Sequence, residues 1–198
     1  MPENTVKGLP LWLHVLRDNS MRKPARVVLH VVDLTDWTNS PAKSLWGTWA
    51  PDTLSTVLAD MRGEKAVYAY FAPRGVEPTK WNQDPKKWPQ IRRRFMLLGQ
   101  TLDGMRVWDI RAAVHGLRSV PGIEKASITI TAHGDMAVNA AYAALLEPEI
   151  RLQATGWPAG HSEGLDYLNV LKYLDIPDVL RLLGDKVVAA PTAGSRFE

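Results

Sequence analysis

The sequence predicts an α/β fold, a three-layer α/β/α sandwich whose mostly parallel sheet has about six strands. Short apolar runs rich in β-branched residues alternate with longer segments of helical spacing, and this alternation is typical of β-α-β units. The short runs are apolar throughout, which suits parallel strands buried on both faces. The chain has 198 residues, of which 45% are hydrophobic and 23% charged. It is therefore long enough to bury its own core, and residues 1–198 are predicted to form a single domain.

The first part of the chain contains three apolar runs and one helical segment. Turn-forming Asp18, Asn19 and Ser20 separate the first two runs, which could pair as antiparallel strands. Pro51 suits the first position of a helix, because its missing N–H would have no partner there. Strands are thus predicted over residues 9–16, 25–32 and 66–71, a long loop over 33–50 and a helix over 51–61.

The remaining elements follow a proline-rich loop. Residues 72–89 hold four prolines and two tryptophans without periodicity, which predicts a loop. Helical spacing returns near residue 90 and strengthens over residues 101–117, where Val107 and Val114 mark one apolar face. Further strands are predicted over residues 127–131, 150–154 and 186–190, and further helices over 136–146, 165–173 and 177–183.

A ligand site is expected at one edge of this sheet. Open parallel sheets bind ligands at the carboxyl ends of their strands, where the connecting loops gather. The segments predicted to line the site are therefore residues 33–50, 72–88, 132–135, 156–164 and 191–198.

Three passages of the sequence resemble one known family. Residues 72–77 contain an Arg-Gly turn after a strand, residues 104–117 form a helical segment, and residues 127–146 combine a strand, a tight turn and an alanine-rich helix. In this order they resemble the α/β-hydrolase family, within it the acetyl-xylan-esterase and prolyl-oligopeptidase-like branch. The resemblance covers about residues 9–190 and implies an α/β-hydrolase-like fold.

The sequence departs from that family at the residues that carry the chemistry. The family presents its serine in a Gly-x-Ser-x-Gly turn, but Gly134 occupies the serine position here, and Ala132 and Met136 replace the flanking glycines. The family usually has its catalytic histidine beyond the last strand, whereas no histidine follows His161 in this chain. The sequence therefore resembles a degenerate or truncated hydrolase domain.

A second pentapeptide offers a serine elsewhere. Gly160-His161-Ser162-Glu163-Gly164 matches the Gly-x-Ser-x-Gly pattern. In one interpretation Ser162 is the nucleophile, His133 its base, and Asp135 or Glu163 the acid that orients the imidazole. The N–H groups at the start of helix 136–146 would then stabilise an oxyanion. In the other interpretation Ser162 only caps the helix that follows it.

The same loops offer a metal-based alternative. His133, Asp135, His161 and Glu163 could bind a divalent metal if their loops converged at adjacent strand ends. Against this, Asp135 could simply cap helix 136–146 and His133 could bond to a backbone carbonyl. No cofactor is predicted, and the main hypothesis requires no metal.

Composition limits the partners and the compartment. The formal charge is +3 and the basic residues are scattered, so no nucleic acid is expected, and the Arg92-Arg93-Arg94 triplet is predicted to be a solvated helix face. No stretch approaches the roughly 18 apolar residues of a membrane span, so no membrane is expected either. Without cysteine or a leader-like amino terminus, the chain is predicted to be cytoplasmic, with export from a bacterial cell and oligomerisation left open.

Eight tryptophans are present. Trp12 and Trp108 are predicted to belong to the core. Those in the long loops either line an apolar or sugar-binding cleft or cover the core, namely Trp37, Trp46, Trp49, Trp81 and Trp88.

Taken together, these patterns favour a hydrolase of carboxylic esters. The expected substrate is a small-molecule ester or an acylated carbohydrate. A non-catalytic degenerate hydrolase domain that acts as a scaffold or interaction module is the first alternative. A metal-dependent hydrolase using the two histidines and two carboxylates named above is the second.

Overall fold

A computed structural model describes residues 11–18, 24–33, 51–77, 79–82 and 84–188. Within these ranges the strands are β1 (Trp12–Leu16), β2 (Arg26–Val31), β3 (Ala66–Ala72), β4 (Ser127–His133) and β5 (Ile150–Thr155). The helices are α1 (Pro51–Glu64), α2 (Trp88–Leu97), α3 (Leu102–Arg118), α4 (Asp135–Leu146) and α5 (Ile176–Leu183). The predicted alternation of strands and helices is therefore present.

The described strands form one mixed sheet in the order β1-β3-β2-β4-β5. β1 runs antiparallel to β3, while β3, β2, β4 and β5 are parallel to their neighbours. The antiparallel pairing of β1 with β2 suggested by the sequence is wrong, because β3 lies between them and Leu13 and Val15 face Phe71 and Ala69 across the ladder.

Helices lie on both sides of this sheet. Across the sheet, the connection from β2 to β3 leads towards the β1 edge, whereas the connections from β3 to β4 and from β4 to β5 lead towards the β5 edge. Because parallel crossovers are almost always right-handed, α1 lies on one face and α3 and α4 on the opposite face. α3 and α4 also pack against each other, and α4 packs against β4 and β5. The α/β/α layering expected from the sequence follows from this topology.

The core is centred on β3 and α4. All seven residues of β3 are buried, as a strand covered on both faces requires. The buried face of α4 is mostly alanine, and its small side chains allow the helix to approach the sheet closely. Its fully buried alanines are Ala137, Ala140, Ala141, Ala143 and Ala144.

The continuous helical pattern of residues 90–117 is interrupted. α2 ends at Leu97, and the chain turns through Gly99, whose φ of 70° is readily adopted only by glycine. Thr101 then caps α3, because its hydroxyl accepts a hydrogen bond from the Gly104 N–H at 3.0 Å. The spacing predicted the helices but not this break.

Two predicted elements in the last third are wrong or reduced. The helix expected over residues 165–173 is limited to a 3-10 turn at Val170–Lys172, because the left-handed Asn169 (φ 59°) breaks the helical path. The strand expected over residues 186–190 is reduced among the described residues to a single bridge between Val187 and Leu152. Residues 189 and 190 lie outside the described ranges, as do most of the 33–50 loop and residues 191–198.

Burial corrects the assignment of two tryptophans. Trp12 and Trp108 were expected in the core, yet about half of each side chain is exposed. Trp108 lies on the outer side of α3, with the guanidinium of Arg111 4.5 Å from its ring centroid. Among the described residues, no helix is both long enough and apolar enough to cross a membrane.

His30 is held as a neutral imidazole inside the sheet. Its Nδ1 lies 2.7 Å from the Thr131 hydroxyl oxygen, and its ring stacks on Tyr70 at 4.6 Å. Its Nε2 is buried without a hydrogen-bond partner among the described residues. Burial lowers the pKa of His30 to about 4, because the charged imidazolium would lose its hydration there.

This arrangement predicts a loss of stability in acid. The folded protein binds fewer protons at His30 than the unfolded chain between pH 6.5 and about 4, so the free energy of unfolding falls as the pH drops through that window. The contribution of His30 is at most about 3 kcal/mol. We expect the difference in unfolding free energy between the wild type and His30→Asn, measured by urea titration, to narrow by that amount from pH 7 to pH 4. A difference that does not change with pH would contradict this prediction, because both proteins share all other titrating groups.

Candidate functional site

A cleft of about 630 Å³ lies at the carboxyl end of the parallel strands. Asp33 follows β2, Gly75 and Val76 follow β3, and Asp135 and Met136 follow β4. This is the edge at which open α/β sheets bind ligands. Four of the five segments that the sequence predicts for the site contribute a lining residue, and the fifth lies outside the described residues.

Asp135 and Met136, which line the cleft, directly follow the turn from β4 into α4. β4 lies inside the sheet, between β2 and β5, and passes through Gly134 directly into the helix. Gly134 has φ 57° and ψ −131°, a combination that side-chain-bearing residues adopt only with strain. Its N–H donates to the Thr155 carbonyl at 3.1 Å, which ties the turn to β5. The strand, turn and helix predicted around position 134 are therefore present.

Position 134 has free space in front of it. A Cβ built on Gly134 would have Asp33 Oδ2 at 3.7 Å as its nearest neighbour, an ordinary van der Waals contact. A side chain would therefore fit at this position and would point towards the Asp33 carboxylate. With glycine there, the turn supplies no hydroxyl to the cleft.

The buried carboxylate of Asp103 organises one wall. Oδ1 accepts hydrogen bonds from Arg106 Nη1 at 3.1 Å and from Asn139 Nδ2 at 3.0 Å, while Oδ2 accepts from the Asp166 N–H at 2.8 Å. The Tyr167 hydroxyl in turn donates to Asn139 Oδ1. One side chain thereby joins α3, α4 and the 164–169 loop, and its buried charge is compensated by three donors.

One arginine–carboxylate pair lies in the cleft wall and a second lies behind it, outside the lining. Arg92 of α2 makes a bidentate pair with Asp166, and both residues line the cleft. Arg74 makes a bidentate pair with Asp109, which is 2% exposed, and also donates its backbone N–H to that carboxylate. These contacts fix the turn after β3 to α3.

Aromatic side chains gather beside Gly75. Gly75 has φ 79°, and a Cβ on it would lie 3.3–3.4 Å from Trp81, Trp88 and Arg106. A side chain at position 75 would crowd these three groups, so glycine is needed here for them to pack directly against the backbone. Trp81 also packs against Trp88 and Phe95 with centroid distances of 5.8 and 5.3 Å.

The charge beside the turn is negative. Burial and the Asp103 carboxylate raise the pKa of Asp135, with a further contribution from Asp33, while Arg106 and Arg92 act in the opposite direction. The three cationic side chains of the lining already have carboxylate partners, namely Arg92 with Asp166, Arg106 with Asp103 and Lys80 with Glu77. The lining at the ends of β2 and β4 therefore includes the side chains of Asp33 and Asp135, and each cationic side chain of the lining is paired with a carboxylate.

The predicted catalytic residues are not brought together. Ser162 is exposed in a 3-10 turn (His161–Glu163) and does not line the cleft. The helix it was suggested to cap is absent. His133 points its Nδ1 to the Thr155 hydroxyl at 3.0 Å rather than to a serine, and it does not line the cleft either. Of the proposed Ser162, His133 and Asp135, only Asp135 reaches the cleft.

His161 and Glu163 have local structural partners. His161 is buried, its Nε2 lies 2.9 Å from the Tyr142 hydroxyl, and its N–H donates to Asp175 at 2.8 Å. Burial lowers the pKa of His161 despite the nearby carboxylates of Asp175 and Asp103. Glu163 accepts from the Ala159 N–H at 2.9 Å.

The metal-binding alternative is not supported by this geometry. Nowhere in the described part of the chain do three or more histidine or acidic side chains converge as metal ligands, and His133, Asp135, His161 and Glu163 all belong to that part. Asp135 is the first residue of α4 and makes no side-chain cap; the cap position is Gly134.

Sequence reasoning missed several lining residues, chiefly Asp103, Arg106 and Asp166. Arg92 was expected on a solvated face but pairs across the cleft. Nothing in the local sequence links Arg92 with Asp166, because 74 positions separate them. The one available signal was Asp103 and Arg106 at i, i+3 on the first turns of a helix, a spacing that places both on one face.

Comparison with solved structures shows the fold. Neither a protein-family model nor a curated protein sequence matches the chain. A Bacteroides fragilis protein assigned as an acetyl xylan esterase is similar over 90% of this chain, with a TM-score of 0.58 and 12% identity. The chain spans about half (54%) of that structure's length. The fold is thus α/β-hydrolase-like.

A second likeness is weaker. A CocE/NonD family hydrolase from Staphylococcus aureus is 18% identical over 75% of this chain and 24% of its own length, with a TM-score of 0.42. At that score it adds no argument about fold or function.

Three alanine substitutions test the turn. A Cβ at Gly134 meets no atom closer than 3.7 Å, so Gly134→Ala should lower the free energy of unfolding by only about 1–2 kcal/mol, through backbone strain. Gly156→Ala should lose about 2–3 kcal/mol, because its Cβ would lie 2.3 Å from His133 Cε1 and its φ is also positive. Gly63→Ala, in the open on α1, should gain about 0.5–1 kcal/mol. Urea unfolding of the three variants measures this order, and a Gly134→Ala as stable as Gly63→Ala would refute the strained turn.

Proposed function

We propose that this chain is a degenerate hydrolase-fold domain that binds a small molecule in the cleft and does not catalyse serine-dependent ester hydrolysis. The observation that carries the proposal is Gly134. It occupies the strained position between β4 and α4, where the resemblance to the hydrolases implies the nucleophile, and it has no side chain. Such chemistry requires a nucleophile with a base in hydrogen-bond reach.

The charge around the turn supports the same proposal. Acyl transfer builds negative charge on the carbonyl oxygen, which hydrogen-bond donors must stabilise. The carboxylate of Asp135 lines the cleft directly after the turn. It would repel an oxyanion there, whereas a carboxylate is a good acceptor for the hydroxyl or amine groups of a bound ligand.

The cleft has the size and lining of a small-molecule site. Its volume of about 630 Å³ falls within the range of ligand pockets. Trp88 offers an apolar surface on one side, and the ion-paired side chains hold the other side in a fixed shape. The structural neighbour assigned as an acetyl xylan esterase favours an acylated carbohydrate, bound without being cleaved.

Ester hydrolysis through Ser162 is the second candidate. One observation favours it: Ser162 is exposed within its Gly-x-Ser-x-Gly pentapeptide and is open to attack a substrate from solution. Its base would have to be His133, which would need to leave the Thr155 hydroxyl.

A serine-reactive probe separates the two candidates. We expect the protein to show no labelling by a fluorophosphonate and no turnover of p-nitrophenyl acetate above that of Ser162→Ala, because among the described residues no base is hydrogen-bonded to Ser162 and His133 contacts Thr155 instead. An active serine hydrolase, labelled and then digested in the same way, serves as the positive control for labelling and for mapping. Labelling mapped to Ser162 and abolished by Ser162→Ala would overturn the proposal.

Ligand binding is tested separately with acetylated xylo-oligosaccharides. We expect calorimetry to detect binding to the wild type and at least a tenfold weaker binding to Trp88→Ala, which loses the apolar wall. Tyr173→Ala is the matched control, because Tyr173 is 84% exposed and does not line the cleft. Equal affinity in wild type and Trp88→Ala would place the ligand elsewhere.

A further inference from the structure

One histidine outside the cleft is buried with only one of its ring nitrogens hydrogen-bonded. His161 is 4% exposed, and its ring packs against Tyr142 and Tyr167 with centroid distances of 5.8 and 5.4 Å. Its Nε2 lies 2.9 Å from the Tyr142 hydroxyl oxygen, whereas its Nδ1 is buried without a hydrogen-bond partner among the described residues. The ring therefore has one polar contact, where an imidazolium would need two acceptors.

His161 begins a stretch of chain that forms part of the cleft wall, and we call residues 161–167 the wall segment. Gly164 and Asp166 of this segment line the cleft. The Asp166 N–H donates to the Asp103 carboxylate at 2.8 Å, which ties the segment to α3. A change in the position of His161 is therefore transmitted along a short stretch of backbone to the cleft.

The wall segment is attached to the helices beneath it by few apolar contacts. Leu165 is 7% exposed and packs with Val138 of α4 and Ile176 of α5, in a cluster separate from the main core. Small satellite clusters of this kind are common under long loops. They allow a segment to open while the sheet stays folded.

The surroundings of His161 favour its neutral form. From α4 the ring faces the Tyr142 hydroxyl, and from its own segment it faces Tyr167, while the carboxylates of Asp175, just before α5, and of Asp103 act on it through their charge. Neither carboxylate is hydrogen-bonded to the imidazole among the described residues, because Asp175 accepts from the His161 backbone N–H instead. Burial therefore outweighs both charges and lowers the pKa of His161.

We propose that protonation of His161 releases the wall segment from α4 and opens that side of the cleft. The Tyr142 hydroxyl can accept one N–H of an imidazolium, but the other N–H would stay buried without an acceptor. The charged ring regains water only by leaving its contacts with Tyr142 and Tyr167. Because the segment continues to Asp166, the pair that this residue forms with Arg92 across the wall moves with it.

The direction of the pH dependence follows from burial. In the open form the imidazole is hydrated and titrates near its ordinary pKa of 6.5, whereas the closed form binds the proton more weakly. Opening therefore takes up a proton, and the open population rises as the pH falls below 6.5. The inference concerns the wall itself and needs no bound ligand, so it stands or falls separately from the proposed function.

Hydrogen exchange read by mass spectrometry tests the release. After correction for the intrinsic pH dependence of exchange, we expect wild-type peptides from residues 161–167 to lose roughly tenfold of their protection between pH 7.5 and pH 5, as uptake of one proton on opening implies. Peptides from β3 should lose much less. His161→Phe and His161→Gln cannot titrate and should show no such loss. His115→Phe is the matched control, because His115 is 65% exposed, and it should behave as the wild type.

A second measurement covers the case in which both His161 variants hold the wall segment open at every pH. The wild-type imidazole signals are titrated by NMR, and the His161 signal is assigned by its absence from the His161→Phe spectrum. We expect its midpoint to lie below 6.5 and to coincide with the loss of protection in the wall segment.

Three results would overturn the proposal. The first is wild-type protection of residues 161–167 that is the same at both pH values. The second is a loss that persists in His161→Phe and His161→Gln or does not follow the NMR titration of His161. The third is an equal loss in β3, which would mean that the whole domain unfolds rather than the wall segment.

Discussion

A buried carboxylate needs donors, and the way Asp103 obtains them determines how the molecule is assembled around its cleft. The side chain lies on the first turn of α3, yet its donors come from α3, from Asn139 of α4 and from the backbone of the 164–169 loop. Leaving such a group without donors would cost several kcal/mol. The two helices and the loop are therefore held in one relative position, and the cleft wall is a consequence of that requirement.

The turn at Gly134 is maintained by the fold and not by any chemistry at position 134. β4 is an inner strand, α4 packs its alanine face on the sheet, and the Gly134 N–H is fixed to Thr155. These contacts impose a φ of 57° regardless of what the residue does. The backbone turn thus needs no side chain at position 134 to hold its shape, and a fold of this kind does not by itself imply an activity.

The sequence predicted what depends on local pattern and failed where distant residues decide. The period of Val107 and Val114 predicted α3, and the carboxyl-end rule predicted that Asp33, Gly75 and Asp135 would meet. Ser162 fitted a three-letter motif, but motif letters carry no information on where a loop lies. Trp108 was predicted to belong to the core but is about half exposed, and its ring packs against the Arg111 guanidinium instead.

The pairing of Arg92 with Asp166 has a bearing on which part of the protein opens most easily. The two residues belong to a helix without buried residues and to a loop. Surface segments with few buried apolar contacts open before the core does. This wall of the cleft is therefore the region expected to loosen first under proteolysis, while the sheet and its alanine helix stay closed.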